Sequence, residues 1–337
     1  MKVFRKTGVS TLINILGMSV AFAAAMILMV QVRWDTTYDA NFEGHEQVFR
    51  LENNWMDKGL FSTSFSRPMI EIAKTASPNI EAVGTYWTMP HEATLKKDGE
   101  ETVLSVPSAR VDSSMFSVFP FEWVEGSARE FTAGETAVVS EEYAKIFFGD
   151  ESALGKNFKA GNGVEVRVIG VFKDMPKNSS MHYGVLVNLG NDFLDDSNEW
   201  SFVAFVKLKD PSLAKETETQ TVNALLEYVG DNVDEALVNE FRKGFRISNL
   251  HDAHYERDVR ANIASANKAI TVTLGAIAIL LILIAIINFI NFAFAEIPFR
   301  IKNINTRKVL GEGRGSLIGR QLLHAGLIAL VALRLPA

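Results

Sequence analysis

Few residues in this chain are spaced for chemistry, and each candidate has a simpler reading beside it. Gly149 to Lys156 holds two glycines ahead of a lysine, the ingredients of a loop that cradles phosphates. Gly149 and Gly155 are one residue too far apart for that, and Asn157 stands where a serine or threonine hydroxyl must reach magnesium. His251 and His254 could share one helical face and ligate a metal. The chain has no cysteine and places no third ligand of obvious spacing nearby, so the pair predicts a polar turn before the second apolar run instead. Glu141 with Glu142, and Asp195 with Asp196, are adjacent pairs that would point about 100° apart on a helix. They read as solvated surface, not as a general acid facing its base. The sequence thus predicts no catalytic residue, no metal site and no cofactor, and an activated nucleophile of the kind a membrane-anchored hydrolase needs is not found.

The elements around these residues are more telling. An average of 47% hydrophobic and 22% charged residues hides a sharp segregation. Thr7–Val32 and Ala269–Ala295 are runs of 26 and 27 residues without Lys, Arg, Asp or Glu. As helices each would reach about 40 Å, more than the hydrocarbon core of a bilayer. The first run continues too far past Ala23, Ala24 and Ala25 for a cleaved signal peptide, and the second lies too late in the chain to be a targeting signal. Trp34 fits an aromatic belt at the membrane interface. Lys2, Arg5 and Lys6 precede the first run, and Arg300, Lys302, Arg307, Lys308, Arg314 and Arg320 follow the second. Basic flanks stay inside, so the middle of the chain is predicted to lie outside the cytoplasm. That middle is strongly acidic, which argues against a nucleic-acid partner.

Between the runs the chain alternates strand and helix patterns. Strands are predicted at Phe49–Trp55, Glu81–Trp87, Thr136–Val139, Val164–Phe172, Phe202–Leu208 and Phe245–Leu250. Glu92–Lys97 and Glu101–Ser105 read as a hairpin turning at Asp98-Gly99. Helices are predicted at Ser66–Ala76, after Ser140, and at Leu213–Val229. The mixture predicts an α+β domain of two subdomains, held together without disulfides. Tyr255–Asn267 is helix-permissive and would let the second span extend outward as one rod.

Several further segments form an ordered set along the chain. They are Ile13-Asn14-Ile15-Leu16-Gly17-Met18-Ser19, Tyr38-Asp39 and Val48-Phe49-Arg50-Leu51. Val111-Asp112-Ser113-Ser114-Met115-Phe116 follows with Phe119, Phe121, Glu125 and Gly126, then Val139-Ser140-Glu141, Phe147-Phe148-Gly149-Asp150-Glu151 and Leu154-Gly155-Lys156. Val171-Phe172-Lys173-Asp174-Met175-Pro176-Lys177-Asn178-Ser179, Ile286-Ile287-Asn288-Phe289-Ile290-Asn291 and Arg307-Lys308-Val309-Leu310-Gly311 complete the set. Together they resemble the FtsX-like, MacB-type permeases of ABC transporters. Lys302-Asn303-Ile304-Asn305 and Glu312 depart from the family's usual residues.

The resemblance implies a membrane α-helical plus α+β protein. Its parts would be a cytoplasmic start and first transmembrane helix (1–33), a MacB-like periplasmic core domain (34–267) and a second transmembrane helix (268–295). A cytoplasmic coupling segment (296–316) and the start of a third transmembrane helix (317–337) would follow, in a fragment of a longer permease or a truncated product. The implied function is a non-enzymatic permease subunit in the bacterial inner membrane. A separate cytoplasmic ABC ATPase, a second permease copy or homologue, and a periplasmic or outer-membrane partner are implied with it. Force from the ATPase would enter through Arg300, Lys302, Ile304, Arg307, Lys308 and Leu310, past a bend at Pro298 that ends the membrane helix. The alternative of a two-span receptor with an outer sensing domain calls for a long cytoplasmic signalling module, yet apolar residues return soon after Ser316.

The charge pattern makes a direct prediction. With no native cysteine, single cysteines at Asp98 or Asp195 should react with an impermeant maleimide in intact spheroplasts, and one at Arg300 should not. Labelling at Arg300 but not at Asp98 would overturn the orientation.

Overall fold

The computed structural model describes residues 2–40, 42–55, 60–97, 100–131, 135–161, 163–229, 235–256, 259–260, 265–310, 313, 315–316 and 319. The chain begins with α1 (Lys2–Thr36), then β1 (Val48–Asn53), β2 (Phe61–Ser62), α2 (Arg67–Ala73), β3 (Ile80–Thr88), β4 (Glu92–Lys97), β5 (Glu100–Ser105) and β6 (Ser108–Val111). Next come α3 (Met115–Val118), β7 (Trp123–Gly126), β8 (Thr136–Ser140), α4 (Glu141–Phe148), β9 (Asn157–Ala160), β10 (Val164–Phe172), β11 (Val185–Asn188) and β12 (Phe202–Leu208). The rest is α5 (Ala214–Val229), α6 (Glu235–Lys243), β13 (Phe245–Asn249), α7 (Leu250–Ala253), β14 (Val259–Arg260) and α8 (Lys268–Val309). Two compact units result: Met1–Thr36 with Lys268–Ala337, and Thr37–Asn267.

In the first unit α1 packs along α8. The seam uses small residues: Ser19, Ala25, Ala278 and Ala285 are buried, and Gly275 sits against Val32. Small side chains let two apolar helices approach closely when no hydrophobic effect drives them together. Asp35, near the end of α1, is also buried and accepts hydrogen bonds from Gln31 Nε2 (3.0 Å) and Thr271 Oγ1 (2.7 Å). Elsewhere both helices expose Ile, Leu and Val, including Ile27, Val30, Val272 and Leu280. Ile15–Thr36 and Lys268–Phe292 are each long and apolar enough to cross a membrane. Asn288 and Asn291 lie on the exposed side of α8, away from the seam.

The bend expected at Pro298 does not end α8, which continues to Val309. Proline removes one backbone hydrogen bond, a local loss that apolar helices tolerate. The described residues of the 255–267 stretch are not helical either. Val259–Arg260 pairs in parallel with Phe61–Ser62, and the helix begins only at Lys268. The expected third membrane helix at 317–337 lies, apart from Gly319, outside the described residues.

The second unit is a mixed α/β domain on one hydrogen-bonded strand path, β14-β2-β1-β12-β3-β6-β11-β8-β10-β9-β4-β5, with β13 paired to β1 and β7 to β10. Two subdomains were expected, but β6 and β11 join the halves: β6 pairs antiparallel to β3 and parallel to β11, which pairs with β8. Both strands are completely buried and therefore lack the polar alternation by which strands are read from sequence. Where alternation exists the reading holds. Val164–Phe172 forms β10 with the expected bounds, burying Val166 and Val168 and exposing Glu165 and Arg167.

Three apolar clusters hold the sheet. Phe65, Ile70, Phe202 and Leu225 lie under α2 and α5. Met115, Phe119, Phe172 and Phe205 form the middle, and Val166, Val185, Phe147 and Phe158 lie under α4. Gly84 allows α3 to touch β3, since a Cβ there would come 2.9 Å from Met115 Cα.

With cores of its own, the fragment 34–267 should be soluble when produced alone and unfold in one cooperative urea transition. Phe205, 1% exposed and edge-on to Tyr86 and Phe119, anchors the middle cluster. Phe205→Ala should lower the fragment's stability by about 3–5 kcal/mol. A molten, aggregating fragment would contradict this reading of the cores.

Candidate functional site where the chain leaves the first helix

The three residues after α1 build a buried polar site in the domain. Asp39 has φ 53, a left-handed backbone that aspartate tolerates better than most side chains. That turn points its carboxylate inward, where the residue is 1% exposed. There Oδ1 accepts from Ser179 Oγ (2.9 Å) and Ser180 N (2.6 Å), and Oδ2 accepts from Ser180 Oγ. The backbone repeats the clamp: Asp39 N donates to Asn178 O (3.0 Å), and Asn178 Nδ2 donates to Thr37 Oγ1 (2.9 Å). Burial raises the Asp39 carboxyl above its ordinary pKa, opposed by the serine donors and by His254.

Tyr38 points to the other side of the chain and stacks on His254, with ring centroids 3.9 Å apart and planes 5° from parallel. His251 Nδ1 lies 2.8 Å from the Tyr38 carbonyl oxygen and carries the proton between them. Burial, and then the neighbouring Asp39 charge, push the Tyr38 phenol up to about 12. The two histidines do fall in one helical turn and the turn after it, in keeping with the polar turn expected from sequence, but they are packed against Tyr38. Asn249 caps α7 by accepting from His251 N (3.1 Å), and the helical spacing brings His251 and His254 to one face, against Tyr38. His254 is 5% exposed.

The loop carrying Ser179 and Ser180 is fixed from its other end. His182 Nδ1 lies 2.9 Å from Met175 O, and Asp174 Oδ1 accepts from Glu142 N (3.1 Å) at the start of α4. Ser140 caps that helix as expected, accepting from Tyr143 N (3.4 Å). Tyr183 OH and Tyr86 OH are 2.6 Å apart, and burial holds the Tyr183 phenol far above its ordinary range.

Other sequence candidates stay apart from this site. Lys156 pairs with Glu151 (2.5 Å) and lies over the Phe148 ring, so the Gly149–Lys156 segment folds on its own side chains. Glu141 and Glu142 lie exposed in the first turn of α4. Arg300, Lys302, Ile304, Arg307 and Lys308 fall in the last turns of α8, and Leu310 stands exposed just beyond its end. Arg300, Ile304 and Lys308 recur at every fourth position, the period of one helical ridge.

Of the segments that carried the family resemblance, Tyr38-Asp39 and Asn178-Ser179 meet here, far apart in sequence. Ser180, His251 and His254 join them unannounced. The one usable signal was the three-residue spacing of the histidines, which places both on whatever a helix there would face.

Comparison with known proteins bears on the whole chain. A family profile for the MacB-like periplasmic core domain matches residues 11–224. The chain is 24% identical over 261 residues to the macrolide export ATP-binding/permease protein MacB 1/2 of Paracoccus denitrificans, covering 74% of this chain and 34% of that protein. It is 24% identical over 228 residues to the ABC transporter permease YvrN of Bacillus subtilis, covering 64% of this chain and 52% of that one. The chain thus spans between about a third and a half of the curated relatives it matches. Among solved structures, the periplasmic region of MacB from Actinobacillus actinomycetemcomitans matches with a TM-score of 0.43 and 15% identity, over 61% of this chain and 90% of that one. The profile covers well over half of the chain, in the order in which its motifs occur, and the chain belongs to the MacB-like periplasmic core domain family, as an ABC transporter permease of the MacB/FtsX type.

Proposed function

We propose that this chain is a permease subunit that couples ATP hydrolysis by a separate cytoplasmic ABC ATPase to movement of its sheet domain, for export or efflux. In this reading α1 and α8 are the first two spans of a multi-pass protein of the bacterial inner membrane, with 34–267 in the periplasm. A second permease copy or homologue would complete the membrane part, and a periplasmic or outer-membrane component would receive the cargo.

One observation carries the reading: the chain passes from an apolar helix straight into the Asp39 clamp. A helix that shifts can move a domain only if the joint between them is stiff. The domain's first residues, Thr37 to Asp39, are held to the rest of it by buried, multiply satisfied hydrogen bonds, which rigidify that attachment within the domain. The names of the two relatives support the transport class. One joins ATP binding and permease function in a single protein, and the other is a permease. The receptor alternative gains no support from them.

The last turns of α8 and the residue after it would take the force from the ATPase, with Arg300, Lys302, Arg307 and Lys308 supplying charge and Ile304 and Leu310 apolar contact. Because α8 is continuous to Val309, a push there would travel along one helix. In the complete transporter, Arg307→Glu with Lys308→Glu should abolish transport while leaving insertion and orientation intact, since Lys2, Arg5 and Lys6 still hold the N-terminus inside. Equal transport at equal membrane abundance would remove the coupling role and leave these bases only a topological one.

A further inference from the structure

A second buried polar cluster lies where the chain leaves the sheet domain. In β1, Arg50 and Glu52 are two residues apart and so point to the same side of the strand. The register of β13 places Ser248 opposite Arg50 and Arg246 opposite Glu52. Glu52 is 0% exposed. Its Oε1 accepts from Arg50 Nε (2.8 Å) and Nη2 (2.5 Å), and its Oε2 from Arg246 Nε (2.6 Å) and Ser248 Oγ (3.2 Å). Arg246 is further fixed with its guanidinium 3.9 Å from the centre of the Phe61 ring in β2.

Glu256 reaches into the same cluster from the stretch between α7 and β14. Arg246 Nη2 lies 3.1 Å from its Oε2, Arg50 Nη2 3.9 Å from the same oxygen, and Ser248 Oγ 3.1 Å from its Oε1. Ser248 has one hydroxyl proton for two carboxylates, and the shortest arginine bonds already go to Glu52. The two carboxylates therefore share Ser248 Oγ and Arg246 between them, and a proton on Glu256 supplies the donor that the pair lacks. A quarter of the Glu256 side chain remains exposed, so that proton exchanges with solvent.

We propose that Glu52 and Glu256 form a proton-binding site that clasps the turn after α7 onto β1 and β13, tight while the pair holds a proton and slack once Glu256 ionises. Burial, and then the Glu52 charge, push the Glu256 carboxyl up to about 7, against the pull of Arg246. The sign follows from linkage. Once the turn opens, Glu256 returns to an ordinary carboxyl, so between about pH 4.5 and about pH 7 closing takes up a proton. The opening equilibrium should rise by up to about tenfold per pH unit across that window and level off above it. Among the described residues the Asp39 carboxylate is met by serine donors and no arginine, so the two polar clusters of the domain would differ in their response to pH.

The test is hydrogen exchange on the full chain in lipid nanodiscs, corrected for the intrinsic pH dependence of exchange, at peptides covering 245–260. Wild type should show opening that increases more than about tenfold from pH 5 to pH 7 and is flat from pH 7 to pH 8. Glu256→Gln, which keeps the shape and cannot ionise, should be protected at every pH with no step. Glu52→Gln frees both arginines for Glu256 and should move the step to lower pH. A flat wild-type profile, or an unchanged step in Glu256→Gln, would overturn the proposal.

Discussion

The buried carboxylate of Asp39 is the interaction on which the rest of this arrangement depends. An ionised carboxylate away from water is tolerated only when its lone pairs are met. Here Ser179 and Ser180 meet them from a loop well over a hundred residues further along the chain. The same loop is held by His182 and by the start of α4, and the other side of the clamp is closed by α7 through Tyr38 and the two histidines. Removing the carboxylate would leave three donors without their acceptor and free the peptide that follows α1.

The two units solve different problems with different materials. In the helix pair, lipid would compete equally for apolar side chains, so the seam relies on close approach at Ser19, Ala25, Gly275, Ala278 and Ala285 and on one buried hydrogen bond between Thr271 and Asp35. In the sheet domain water drives burial, and large residues such as Phe119, Phe172, Phe202 and Phe205 fill the core.

The legibility of the sequence followed the same division. The apolar runs were plain because the absence of charge over so many residues has few physical meanings, and β10 and the β4–β5 hairpin were plain because one face of each is wet. The buried strands β6 and β11 carried no alternation to read, and missing them split into two subdomains a sheet that they join. Pro298 was read by its effect in water-soluble helices, yet α8 runs through it. His251 and His254 were read as polar because local sequence does not show that Tyr38, more than two hundred residues earlier, will cover them. The Asp39 clamp could be reached only through the resemblance of its segments to a family, since no local pattern joins Tyr38-Asp39 to Asn178-Ser179.

The central proposal is that motion of α1 reaches the sheet domain through the Asp39 clamp. It is tested most directly by spin-label distances in the complete transporter with its ATPase, using a chain that has no native cysteine and labels placed at the exposed positions Asp195 and Lys268. On trapping the nucleotide-bound state, the distance distribution should shift in the wild type. In Asp39→Ala the shift should be lost while ATP hydrolysis continues and the sheet domain still unfolds cooperatively. An undiminished shift in Asp39→Ala would contradict the account.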